Sequence, residues 1–374
     1  MLNNEIVKTS DERVLYFFIK DGLCVKDLMN PTEKYNVIFE DAVEDFYAVD
    51  FDNGKIGIVC QDKSGSIIFL KENEGTYLKT TLLNNRNKTA YDKNFKIHKN
   101  GNWISISYII EYQNSFILSF QIVNDEEIAP IAVEYVKDKN YYSFVMNNYD
   151  IFFLFNKEDG FYYKIYKWGQ KKFFDSEKLG DGKLVSCGFD KENFYLIYNK
   201  DKKYKLKIIK NEDFDFTFYD YDIDFVKDDD EINIVVEKDS FWITVKRNGF
   251  LFGRKANIDF NGFSDTYNFM NEGEIINCKL EINENDYEVN NCFAYLNKLR
   301  PKLIIYKDLL NTFKTIKKPL VSTSDDEFTE FTKIENKEPS DIEKKLTKLE
   351  IRINSLEEKM KKYAIGMNNN EEKN

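Results

Sequence analysis

Histidine occurs once in this 374-residue chain, proline five times and tryptophan three times. The single histidine, His98, sits in NFKIHKNG with no triad or metal partner visible around it, which predicts a strand-rim residue and not a catalyst. The five cysteines, Cys24, Cys60, Cys187, Cys278 and Cys292, are odd in number, widely spaced and mostly set in apolar runs. That pattern predicts buried, reduced thiols and excludes a disulfide framework or a zinc site. No stretch approaches the ~18 apolar residues of a membrane helix. Residues 1–20 lack a basic leader, and the apolar run from Val14 to Ile19 is too short for a signal core, so synthesis in the cytoplasm without a signal peptide is expected. The formal charge is −11 with no prominent basic run, which argues against a nucleic-acid partner. No HExxH, phosphate-binding glycine loop or GxSxG elbow is present, and no cofactor is implied.

What is abundant is aromatic. Phe, Tyr and Trp make up 16% of the chain and hydrophobic residues 42%, enough for a real core and weighted toward pleated, half-buried strands. These residues recur as paired apolar runs around a tight turn. The first pair is VLYFFI and LCVKDL around Asp21-Gly22, followed by IGIVC and SIIFL around Ser64-Gly65 and by WISISYII and SFILSF around Gln113-Asn114. IFFLF and FYYKIY flank Asp159-Gly160, FYLIY and YKLKII flank Asp201-Lys202, FWITV and FLFG flank Asn248-Gly249, and a weaker pair flanks Lys298-Leu299. Asp-Gly and Asn-Gly supply the positive φ angles of a two-residue hairpin. Successive turns lie roughly 43 to 50 residues apart.

Flanking runs precede each pair (DFYAVD, NFKIH, YSFVM, KLVSCGF, INIVVE, IINCKLEI) and follow it (YNVIF, YLKTTLL, IAVEYV, KKFFD, FDFTFYD, FKTI). Four short strands per unit with no helical spacer resemble a β-propeller blade, and the repeat predicts an all-β propeller of about seven four-stranded blades over residues 1–318, with six or eight left open. Residues 3–9 would complete the first blade as either its inner or its outer strand. The Trp-Asp, double-glycine and Asp-box signatures of named propeller repeats are absent, so the resemblance is to the architecture alone. In the outer run after the fifth pair, Asp213, Asp215, Asp220, Asp222 and Asp224 alternate with Phe214, Phe216, Tyr221 and Ile223. The phase slips at Phe218-Tyr219, which predicts a bulged edge strand guarded by charge, with a cation-binding patch as the alternative.

After Lys318 the pattern changes. Residues 319–339 have linker composition, residues 340–367 carry a heptad, and residues 368–374 form a polar tail. Leu346, Ile353, Met360 and Met367 fall at a, and Ile342, Leu349, Leu356 and Tyr363 at d, with Glu343, Glu350 and Glu357 at e and Lys345, Arg352 and Lys359 at g. Charged e and g positions make the apolar seam narrow, which predicts a parallel α-helical coiled coil between copies of the chain, not a helix packed on its own domain. Arg352-Ile353-Asn354-Ser355-Leu356-Glu357 resembles the R-h-x-x-h-E pattern of parallel trimeric coiled coils, and the resemblance implies that Arg352 pairs with Glu357 of a neighbour. The mixed core leaves a dimer open.

Asp50-Phe51-Asp52-Asn53-Gly54 has the opening of a calcium loop but lacks its third acid and its closing Glu, which predicts a hairpin turn. Trp103 and Trp242 are expected in the core, and Trp168 beside Gly169 is a candidate stacking platform for a sugar. Three function classes follow. The first is a non-enzymatic homotrimeric structural or binding protein, such as a bacteriophage tail, baseplate or capsid appendage that ends in a virion and engages a protein or cell-surface glycan. The second is a cytoplasmic interaction scaffold. The third is a glycan-active enzyme working through channel carboxylates.

Overall fold

The computed structural model describes residues 4–305 apart from 31, 33, 53, 87, 101–102, 114, 124–128, 147–149, 191–192, 213–214, 238 and 283–290. The chain divides into Met1–Ile316 and Lys317–Asn374. The second unit lies outside the described residues, and with it the heptad residues Ile342, Leu346, Leu349, Arg352, Ile353, Leu356, Glu357, Met360 and Tyr363. So does the FKTI run.

Within each unit, neighbouring strands pair antiparallel. Unit one holds β1 (Asn4–Lys8), β2 (Val14–Ile19), β3 (Leu23–Asp27) and β4 (Asn36–Phe39). Unit two holds β5 (Ala42–Asp52), β6 (Lys55–Asp62), β7 (Ile67–Asn73) and β8 (Thr76–Leu83). Unit three holds β9 (Lys96–Asn100), β10 (Trp103–Tyr112), β11 (Ser115–Val123) and β12 (Ile131–Val136). Unit four holds β13 (Tyr141–Val145), β14 (Ile151–Lys157), β15 (Gly160–Lys167), β16 (Lys172–Phe173) and β17 (Glu177–Gly180), with a 3-10 turn at Trp168–Gln170. Unit five holds β18 (Lys183–Phe189), β19 (Asn193–Lys200), β20 (Lys203–Glu212) and β21 (Asp215–Ile223). Unit six holds β22 (Glu231–Glu237), β23 (Ser240–Arg247), β24 (Phe250–Asn257) and β25 (Tyr267–Asn268). Unit seven is shorter, with β26 (Glu274–Ile282), β27 (Cys292–Leu296) and β28 (Pro301–Leu303).

The ring closes on itself. β1 pairs antiparallel with β2 and parallel with β26, so residues 4–8 are the inner strand of unit one and units one and seven share a seven-stranded sheet. Each interface between consecutive units carries its own apolar cluster. Val7, Phe17 and Leu23 meet Phe46 and Ile58 between units one and two, and Val59 and Phe69 meet Ile106 and Tyr108 between two and three. Phe120 meets Phe153 between three and four, Phe152 meets Phe194 between four and five, and Ile197 meets Ile243 between five and six. Leu251 meets Phe293 between six and seven, and Cys278 and Leu280 meet Ile6 and Tyr16 between seven and one. Alternation along a strand serves two neighbours at once: in β23, Phe241, Ile243 and Val245 face unit five while Trp242 packs toward units seven and one. This cyclic series of face-packed meanders is a β-propeller.

Turn chemistry matches the hairpins closely. Lys200 pairs with Lys203 across Asp201-Lys202, both at positive φ, and Arg247 pairs with Phe250 across Asn248-Gly249 in the same geometry. In unit four Lys157 pairs with Gly160, so the turn is Glu158-Asp159, one residue earlier than expected. β21 is not bulged: it runs in unbroken register with β20 from Tyr204↔Ile223 to Glu212↔Asp215. The phase slip arises because Phe216 packs toward unit four while Tyr221 and Ile223 pack toward unit six. Asp220 is ion-paired within the sheet to Lys207 at 2.8 Å, and Asp222 to Lys205 at 3.2 Å.

Candidate functional site at the channel mouth

First strands of consecutive units approach one another around the ring, β1 with β5, β5 with β9, β9 with β13, β18 with β22 and β26 with β1, and polar side chains stitch each unit to the next. The Ala48 N–H donates to Glu5 Oε2 at 2.9 Å and the Phe95 N–H to Asp45 Oδ2 at 2.9 Å. Ser107 and Tyr141 share a hydroxyl bond at 2.9 Å, Tyr142 donates to the Val185 carbonyl at 2.6 Å, and the Ile234 N–H donates to Ser186 Oγ at 3.3 Å. Asn233 donates to Asn277 at 3.0 Å and Asn4 to the Asn277 carbonyl at 3.5 Å, completing the circuit. Strand edges at a channel have lost their neighbours, and these bonds satisfy groups that burial would otherwise leave costly.

One end of this channel opens into a cavity of about 260 Å³. It is formed where inner strands begin and by the connections that feed them. Asn4, Asn94, Asn140, Asn233, Asn277 and Asn291 line it together with Asp45, Asp92, Lys96, Lys139, Lys279, Tyr141 and Tyr142. Residues from six of the seven units therefore converge on one polar chamber.

Beside the asparagines the lining carries a charged cluster. Lys279 reaches from unit seven to the Phe46 carbonyl of unit two at 3.4 Å, and its ammonium lies 4.4 Å from the Tyr47 ring centroid. Lys96 approaches the same ring at 5.5 Å. Burial pushes the Glu5 carboxyl up to about 7, against the attraction of Lys279 and Lys96. Asp45 is pushed up to about 6 by the same desolvation. Lys96 is brought down to about 7 by burial and by the neighbouring Lys279. Three groups that are ordinarily ionised thus exchange protons near neutral pH, which is a feature of chemically active pockets and also of buried ion networks.

Expected positions resolve as follows. His98 is buried, not a rim residue: it hydrogen-bonds Ser107 at 3.0 Å and lies against Phe120 and Phe153, because an inner strand is covered on both faces. Desolvation lowers it to about 3, so it is neutral at physiological pH. Trp103 is 44% exposed, not core, since it opens β10 where the strand emerges at the opposite end of the ring. Trp168 meets it edge to face at 6.2 Å, while Trp242 is half-buried and donates to Glu237 at 3.1 Å. All five cysteines are buried free thiols. Asp50 accepts from the Ser10 and Gly54 N–H groups at 2.6 and 3.1 Å, a turn and inter-unit brace, and no metal-ligand group occurs among the described residues.

The channel cluster was missed by sequence reasoning. Its only trace is the charged residues that interrupt the flanking runs NEIVK, VEDFYAVD, NFKIH and NCKLEI.

No protein-family model matches the chain, and no curated protein does. Solved structures similar to it include a fungal lectin from Aleuria aurantia, described as a six-bladed β-propeller with a novel fucose recognition mode. That likeness has a TM-score of 0.44 at 9% identity, over 70% of this chain and 94% of the lectin. TolB from Acinetobacter baumannii aligns with a TM-score of 0.43 at 9% identity over 75% of this chain and 63% of TolB. A prolyl endopeptidase aligns with a TM-score of 0.48 at 10% identity over 75% of this chain and 43% of the peptidase. The fold assignment here rests on the sheet topology.

Proposed function

We propose that the chain is a non-enzymatic binding protein whose propeller recognises a hydroxyl-rich ligand, a glycan, at the channel mouth. The observation that carries this reading is the cavity of about 260 Å³ with six asparagines around it. Carboxamides both donate and accept, as sugar hydroxyls do, and the volume suits a monosaccharide-sized group. Tyr141 and Tyr142 add aromatic surface at the wall. The heptad of residues 340–367 supports the second half of the proposal, self-association into a parallel homotrimer. Three linked propellers gain about 10²–10⁴ in apparent affinity on a repetitive surface, which suits an appendage of a particle such as a phage tail.

The test is a glycan array with the full chain, followed by calorimetry on the best ligand. Asn140→Leu with Asn291→Leu places apolar groups at the mouth without touching the inter-unit hydrogen bonds described above. Loss of about tenfold or more in affinity is expected, equivalent to one or two hydrogen bonds. Binding that survives this double change, or a chain that binds no glycan on the array, overturns the reading.

A further inference from the structure

We propose that Lys96, facing the channel cavity beside Lys279 and the Tyr47 ring, is an amine nucleophile that captures small aldehydes or ketones as a reversible imine. This goes beyond the glycan reading and does not depend on it.

Four observations converge. Lys96 is only 5% exposed, yet it lines the cavity, so what exposure it has is to the chamber. Among the described residues its ammonium has no hydrogen-bond or salt-bridge partner, and its neighbour is the face of Tyr47 at 5.5 Å. A second ammonium, Lys279, lies on the same ring at 4.4 Å and is held there by the Phe46 carbonyl. Desolvation and an adjacent cation are the two devices that keep a lysine in its neutral, nucleophilic form. The groups facing Lys96 are Glu5 from β1, Asp45 from β5, Asp92 from the connection before β9 and Lys279 from β26; burial first and Lys279 second bring its ammonium down to about 7, against the pull of the three carboxylates.

The chemistry balances without a further reagent. The Lys96 nitrogen adds to the carbonyl carbon, and the carbonyl oxygen takes a proton from a carboxyl such as Asp45, which lines the cavity and is itself raised to about 6. The nitrogen returns one proton to the Asp45 carboxylate and its second goes to the hydroxyl, which departs as water as its bond to carbon breaks, leaving a carbon–nitrogen double bond. Nothing is oxidised or reduced, and hydrolysis reverses the step. The cavity of about 260 Å³ admits a carbonyl compound of a few heavy atoms.

The full chain is treated with propanal and sodium cyanoborohydride at pH 7, and propylated lysines are located by peptide mass mapping against time. Lys96 is expected to react about tenfold or more faster than exposed lysines such as Lys63, reflecting its larger neutral fraction. The Lys279→Met variant removes the neighbouring cation, so the pH at which Lys96 labels at half its maximal rate should rise by about one unit. Should Lys279→Met unfold the chain, Tyr47→Leu provides the second arm, since loss of the ring that seats both amines should also blunt the preference for Lys96. Labelling of Lys96 no faster than Lys63 overturns the proposal. So does an unchanged pH profile in a folded Lys279→Met variant, which would assign the depression to burial alone.

Discussion

At the scale of single residues, the channel stores titratable groups in unfavourable states, and this sets the pH dependence of folding. Glu5 has a folded pKa near 7 against 4.5 in the open chain, so its contribution is fully present below about pH 4.5 and is lost as pH rises through 7. Glu5→Gln retains the acceptor for the Ala48 N–H and removes that dependence. The variant should gain about 1–3 kcal/mol over wild type at pH 8 and markedly less at pH 4.5, as read from urea midpoints. His98 acts on the other flank. Its folded pKa near 3 lies below the open-chain value of 6.5, so stability is full above pH 6.5 and falls as pH drops toward 3. Elsewhere the core behaves as close-packed hydrocarbon. Phe152 is 1% exposed and stacks on Phe194 at 4.5 Å and Tyr163 at 5.0 Å. Phe152→Ala should cost about 3–5 kcal/mol in a denaturant titration.

At the scale of elements, the hairpins were legible because their turns are chemical statements. Asn248-Gly249 and Asp201-Lys202 fix φ > 0 at two successive positions, and the strands on either side must then pair. What the turns did not specify is which face a residue shows and to which unit. β21 illustrates this: its apolar residues change phase not because the strand is bulged but because it packs on two neighbours. Trp103 and His98 were misplaced for the same reason, since exposure depends on how far the adjacent unit extends along the strand. Interfaces between units also impose size limits that no periodicity shows. A Cβ on Gly188 of β18 would lie 2.7 Å from Ile234 Cγ2 and 2.8 Å from Val236 Cγ2 in β22. Gly188→Val should therefore force units five and six apart and lower stability by about 1–3 kcal/mol, measurable as a fall in Tm.

At the scale of the whole molecule, the channel site became visible only on ring closure. Glu5 and Lys279 are remote in sequence and are brought together by the parallel pairing of β1 with β26. Local signals read from short windows cannot contain such a pair. The same closure makes the N-terminal strand a structural requirement: deleting residues 1–9 removes the inner strand of unit one and its pairing to unit seven, and should abolish cooperative melting seen by circular dichroism. The proposed homotrimer has its own check: wild type is expected to give a trimeric mass in sedimentation equilibrium, and Arg352→Ala with Glu357→Ala to lower it. The channel mouth is the proposed recognition surface. Hydrogen exchange of the full chain, with and without the best array glycan, reads it directly. New protection is expected at residues 92–96, 139–142 and 277–279, where lining residues converge from separate units. Protection confined to the Trp103 and Trp168 end of the ring, with the channel mouth unchanged, would contradict it.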